Sequence, residues 1–142
     1  MNVLLLTERR GDHALFTDAM ATLRTDYSFS ACESLGEAWS KFSWREIPLP
    51  NLIFLDFELS PNYDHELVQI LKTTDDLSAA PVVVFADSAK QEDIGLTYRL
   101  QVSCFVVLPK DPEPRQRKIQ ACLEFWSKYA ILPELRRWWG EA

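Results

Sequence analysis

The chain has 142 residues, 47% apolar and 25% charged, which is the balance of one soluble globular domain with a real core. Its 21 acids against 15 bases give a net charge of −6, which excludes a general phosphate-backbone binder and argues against nucleic acid as a partner. No apolar run approaches the roughly 20 residues that a membrane span needs, and Cys32, Cys104 and Cys122, an odd number without metal spacing, read as buried free thiols in a reducing cytoplasm.

Taken in chain order, the elements alternate. Residues 3–6, Val-Leu-Leu-Leu, read as a strand; no basic leader precedes them, so they do not read as a signal peptide. Residues 11–24 carry Leu15, Phe16, Ala19, Met20 and Leu23 at helical spacing. Residues 27–32 can form a second strand. Ser34 then caps a helix through Trp44, with Leu35, Ala38, Trp39 and Phe42 on one face and Glu37 three residues after the cap. Pro48 and Pro50 close that unit.

Leu52-Ile53-Phe54-Leu55-Asp56 follows, four apolar residues ending in a carboxylate. Such a run reads as a strand buried on both faces, and an acid at its carboxyl end falls where open α/β sheets keep their chemistry. Residues 65–72 form a helix, and Pro81 opens a fourth buried strand over 82–85. A helix over 92–100 contains Gly95, and residues 103–108 make the fifth strand. Pro112 and Pro114 suit the first turn of a last helix, whose apolar face is Ile119, Cys122, Leu123, Trp126 and Ala130. Strands alternating with helices predict an α/β fold, a doubly wound parallel sheet with helices on both faces. No glycine-rich phosphate loop follows any strand, and the chain holds only 4 glycines, so a nucleotide-binding enzyme is disfavoured.

The order of these elements and their motifs resembles the receiver domain of bacterial two-component response regulators, most closely the single-domain regulators that partner phytochrome-type histidine kinases. The resemblance rests on Leu52–Asp56, on Pro81-Val82-Val83-Val84-Phe85-Ala86, on Glu92-Asp93-Ile94 with Tyr98, and on Ser103 to Pro109. Phe125-Trp126 and Leu132-Pro133 resemble the end of the last helix in that subgroup. It implies a flavodoxin-like receiver of strand order 2-1-3-4-5 over residues 1–132, with a C-terminal tail at 133–142. It implies a signalling protein and not an enzyme.

Carried onto this sequence, the resemblance makes Asp56 the phosphoacceptor position. The usual acidic pair after the first strand becomes Thr7-Glu8, which leaves Glu8 and Asp56 to hold Mg²⁺, and only weakly, since that ion wants near-octahedral oxygen geometry. The hydroxyl position falls on Ala86 and the lysine position on Leu108, while the aromatic reporter is Phe105. The family's proline and glycine after the acceptor are replaced by Ser60 and Asp64, and Glu58 adds a further acid. A phosphoryl group on Asp56 is therefore poorly compensated, because a lysine's point charge is absent beside a dianion. These departures imply a divergent receiver that works mainly as a protein-interaction module, with weak or absent phosphorylation control. The alternative is a conventional phosphoacceptor, modified on Asp56 by a histidine kinase in a phosphorelay. Asp56 without phosphate chemistry is expected to bond nearby backbone or Thr7.

Lys110 and Ser88 stand near the missing lysine and hydroxyl but off register, and are not expected to replace them. His13 and His65 read as solvated helix residues, and Arg115, Arg117 and Lys118 as a solvated helix face. Tyr98, Phe125, Trp126, Trp138 and Trp139 are the expected interaction surface. Trp138 and Trp139 are adjacent and cannot both face one side of a helix. With Arg136 and Arg137 beside them, they predict a homodimer through the fourth helix, fifth strand and last helix, the alternative being a tail that folds back on its own domain. The other partner is a histidine kinase or another signalling protein.

Overall fold

The computed structural model describes residues 1–59 and 64–134, the side chains of residues 64 and 65 excepted. Five strands and five helices alternate: β1 (Asn2–Leu6), α1 (Arg10–Met20), β2 (Ser28–Cys32), α2 (Leu35–Ser43), β3 (Leu52–Asp56), α3 (Asp64–Thr73), β4 (Val82–Ala86), α4 (Gln91–Arg99), β5 (Cys104–Val107) and α5 (Pro112–Glu124). All pairings are parallel and the strand order is β2-β1-β3-β4-β5, as expected. β3 is central and buried along its whole length.

The strand period of two sorts the apolar residues onto two faces. Leu4, Leu6, Ile53, Leu55, Val82 and Val84 meet Ala38, Phe42, Val68 and Leu71 from α2 and α3. Val3, Leu5, Leu52, Phe54, Val83 and Phe85 meet Phe16, Ala19, Met20, Ile119 and Leu123 from α1 and α5. Phe16 anchors the second layer, with its ring edge-on to Phe54 at 5.2 Å and tilted against Phe85 at 5.6 Å. A fully buried side chain of this size contributes about 2–3 kcal/mol.

Several local expectations are corrected. α1 stops at Met20, four residues short of the predicted end at Arg24. Ser34 caps α2 by accepting the Glu37 N–H at 3.0 Å, but the Glu37 carboxylate reaches back to the Glu33 N–H, not to that of Ser34. β5 is an edge strand, so Phe105 and Val106 are half-buried and Val107 is exposed where a buried run was expected. Trp39, placed in the core by its spacing, is 38% exposed because α2 buries only Ala38 and Phe42. α5 continues into a wider, π-type turn over Phe125–Tyr129, which carries Ala130 out of the helix whose face it was expected to share.

Candidate functional site

The carboxyl ends of β1, β3, β4 and β5 lie side by side. Leu6 pairs with Leu55, Asp56 with Phe85, and Ala86 with Val107. Thr7, Asp56, Ala86 and Leu108 therefore lie at one edge of the sheet. Asp56 is 3% exposed. Its Oδ2 accepts the Thr7 hydroxyl at 2.7 Å and its Oδ1 accepts the Glu58 N–H at 2.9 Å. Thr7 is held in turn: its Oγ1 accepts the Arg9 N–H at 3.1 Å, and its carbonyl lies 2.7 Å from His13 Nε2, which must donate. His13 is half-buried and bonded, not the solvated residue expected, because one helical turn returns it to the β1 end.

Ala86 and Leu108 are both buried. Leu108 points into the apolar layer with Phe16, Phe85 and Ile119. Neither offers the edge a hydroxyl or a cation. Ser88 and Lys110, which stand off register, are exposed. Phe105 packs edge-on against Phe57 at 5.3 Å, and its N–H donates to the Tyr98 hydroxyl at 3.0 Å. Glu8 is exposed. Among the described residues no group of three His, Cys, Asp or Glu gathers to hold a metal ion. Each Asp56 oxygen accepts one hydrogen bond within the chain and keeps a free lone pair, so without a third carboxylate among the described residues the donor set fits at most a weakly held divalent cation.

The edge holds a charge network that the sequence reading missed. Arg115 is 2% exposed and not on a solvated face. Its Nε and Nη2 grip Asp12 Oδ1 and Oδ2 at 2.8 and 2.9 Å, a two-point pair, and its Nη1 donates to Asp87 Oδ1 at 2.6 Å. Asp87 Oδ1 also takes Arg9 Nη1 at 2.8 Å. Burial pushes the Arg115 guanidinium toward neutrality, but Asp12 and Asp87 outweigh it and raise its pKa. Burial likewise works to raise the Asp87 carboxyl, yet hydrogen bonds from Arg9 and Arg115 and their charges hold it below its ordinary value of 3.8.

That shift has a sign. Asp87 binds fewer protons folded than unfolded, so its stabilisation is full above its unfolded value and is lost as pH falls through the depressed one. Acid titration followed by circular dichroism should therefore show stability falling below about pH 4. Asp87→Asn should flatten that decline; an unchanged profile would show that the pair is not coupled to folding.

Cys104 and Cys122 line one groove, half-buried, and Cys32 is buried; among the described residues all are free thiols. Burial, with a smaller contribution from Cys122, pushes the Cys104 thiol up to about 11, away from a reactive thiolate. Lys118 donates to the Val107 carbonyl, and Arg117 pairs with Glu113 on the surface.

This fold is matched closely by known structures. The Mn²⁺-bound response regulator Rcp1 superimposes with a TM-score of 0.83 at 26% identity, over 94% of this chain and 99% of that one. The chain folds as a response-regulator receiver domain. The phosphorylated cyanobacterial phytochrome response regulator RcpA matches with a TM-score of 0.84 at 24% identity, over 94% and 98% of the two chains. In sequence, Rcp1 of Synechocystis is 24% identical over 135 residues, 92% of each protein. A probable methanogenesis regulatory protein, FilR2 of Methanothrix harundinacea, is 30% identical over 78 residues, 55% of this chain and 50% of that protein. No protein-family model matches this receiver. Its homologues thus include single-domain phytochrome response regulators of two-component signalling. Among the described residues no helix is long and apolar enough to cross a membrane.

Proposed function

We propose that this receiver acts mainly as a cytoplasmic protein-interaction module, not an enzyme, with weak or absent phosphorylation control. One observation carries the reading: the buried Ala86 and Leu108 supply neither a hydroxyl nor a cation beside Asp56, whose two oxygens each accept a hydrogen bond from within the chain. Mg²⁺ would meet only Glu8 and Asp56, a weak site at best. The second reading, a conventional phosphoacceptor at Asp56, is favoured by the retained acid and by the phosphorylated state of RcpA. Incubation with acetyl phosphate and Mg²⁺, followed by phosphate-affinity electrophoresis, separates the two. The first predicts no shifted band beyond that of Asp56→Ala; a stoichiometric, Asp56-dependent band would establish the second.

The partner surface is the face of α4, β5 and α5, open to a histidine kinase, another signalling protein or a second copy. Tyr98, Phe125 and Tyr129 are 44%, 50% and 71% exposed there. A groove of about 540 Å³ between β5 and α5 is lined by Cys104, Ala121, Cys122, Phe125 and Trp126. Trp138 and Trp139 lie outside the described residues; Pro133, where the tail begins, receives a hydrogen bond on its carbonyl from Asn51 Nδ2 at 3.3 Å. Aromatic residues are enriched at interface cores, and a twofold contact is the commonest way to bury such a patch. Sedimentation of the full chain against a version ending at Leu132 tests the homodimer. The full chain should run as a dimer at tens of micromolar, roughly the range of weak pairs, and the short one as a monomer. Two monomers would refute it.

A further inference from the structure

β3 lies between β1 and β4 in the sheet. Arg9 follows β1 and Asp87 follows β4, so their ion pair joins the two connections that flank the carboxyl end of β3, where Asp56 sits. Arg9 is also tied to Asp56 at its other end. Its N–H donates to Thr7 Oγ1 at 3.1 Å, and that hydroxyl donates to Asp56 Oδ2 at 2.7 Å. A guanidinium whose backbone is rooted two hydrogen bonds from the acid thus ends on Asp87. We propose that Asp87 is an electrostatic latch: it sequesters Arg9, the cation positioned to compensate an anion built on Asp56.

The two guanidiniums on Asp87 have different characters. The Arg115 side chain is 2% exposed and fixed by its two-point grip on Asp12; the Arg9 side chain is 40% exposed and meets Asp12 only at 3.6 Å. Arg115 is the anchor and Arg9 the exchangeable arm. If Arg9 leaves, Asp87 keeps Arg115 and no buried charge is stranded. With Asp87 in place, the four groups, two cations and two anions, close on one another. The lost lysine at Leu108 is then not replaced, although an arginine stands close by. The latch rests on the proposed weak phosphorylation control and gives it a cause: the compensating charge is present but occupied.

The test is a beryllofluoride titration in Mg²⁺, followed by NMR at the Thr7 and Glu58 amides. The ratio between variant and parent tests the latch, and the parent's own affinity tests the functional reading. Asp87→Asn keeps the Asp12–Arg115 pair and leaves Arg9 only its longer, 3.6 Å contact with Asp12; it should bind about tenfold tighter than the parent, the effect of about one unit of charge compensation. Arg9→Gln added to Asp87→Asn should return binding to the parent level. Equal binding by parent and Asp87→Asn, or a gain that survives Arg9→Gln, overturns the latch and leaves the functional reading standing. Tight binding by the parent overturns the functional reading, while a further Arg9-dependent gain would still support the latch. Arg9→Gln alone, which touches only the exposed end, provides a second readout. Amide exchange over residues 87–90 should accelerate about tenfold if the latch holds that loop; unchanged exchange overturns it.

Discussion

Arg115→Met is expected to destabilise this receiver by about 3–5 kcal/mol, because it leaves Asp12 buried without its two-point partner. For a domain of this size that lowers the melting temperature by roughly 10–20 °C. Asp12 would retain only Arg9, 3.6 Å away and half outside. Asp12→Leu should cost less, since Arg115 keeps Asp87 at 2.6 Å. The double variant Asp12→Leu with Arg115→Met should recover most of the loss, because a well-packed apolar pair often equals or exceeds a buried ion pair. Thermal and urea unfolding of the three variants check this. Additive losses in the double variant would show that the pair's charges, and not the stranding of one of them, hold α1 to α5.

On the proposed reading, adding a hydroxyl at Ala86 or a cation at Leu108 one at a time should fail to restore phosphorylation, for two physical reasons. Ala86→Thr adds a hydroxyl at the edge but no cation to work with it. Leu108→Lys places an ammonium where the side chain now packs with Phe16, Phe85 and Ile119, so the charge must either be buried or drag the chain end out of the layer. A loss of about 2–4 kcal/mol is expected for that single change. Neither single variant should give more than a few per cent of an Asp56-dependent phosphoprotein, and only the pair should rise well above the parent, since groups that act as a unit are not additive. The same pair should also restore an inward turn of Phe105, which now rests edge-on against Phe57. Full recovery by Leu108→Lys alone would refute the coupling.

Much of this molecule is legible in its sequence, because burial on both faces leaves a plain signal. Four runs, at residues 3–6, 52–55, 82–85 and 105–108, marked a parallel sheet, and an acid closing the central one marked the edge that matters. The absence of a hydroxyl at Ala86 and of an amine at Leu108 could be read without coordinates. β5 was read as too buried because an apolar run does not say whether a strand has a neighbour on both sides.

The charge network could have been half seen. Asp12 stands four residues before Phe16, and Arg115 four before Ile119, so each continues the buried stripe of its own helix. A charge on such a stripe needs a partner. The sequence by itself thus determined the fold and an acid at the carboxyl end of the central strand, since these follow from local pattern and spacing. Only the tertiary structure decided that Asp12 and Arg115, 103 residues apart, neutralise each other, and that Asp87 draws Arg9 across the end of β3. Pairing between distant charges depends on which helices share a face of the sheet, and no residue period along a chain encodes that.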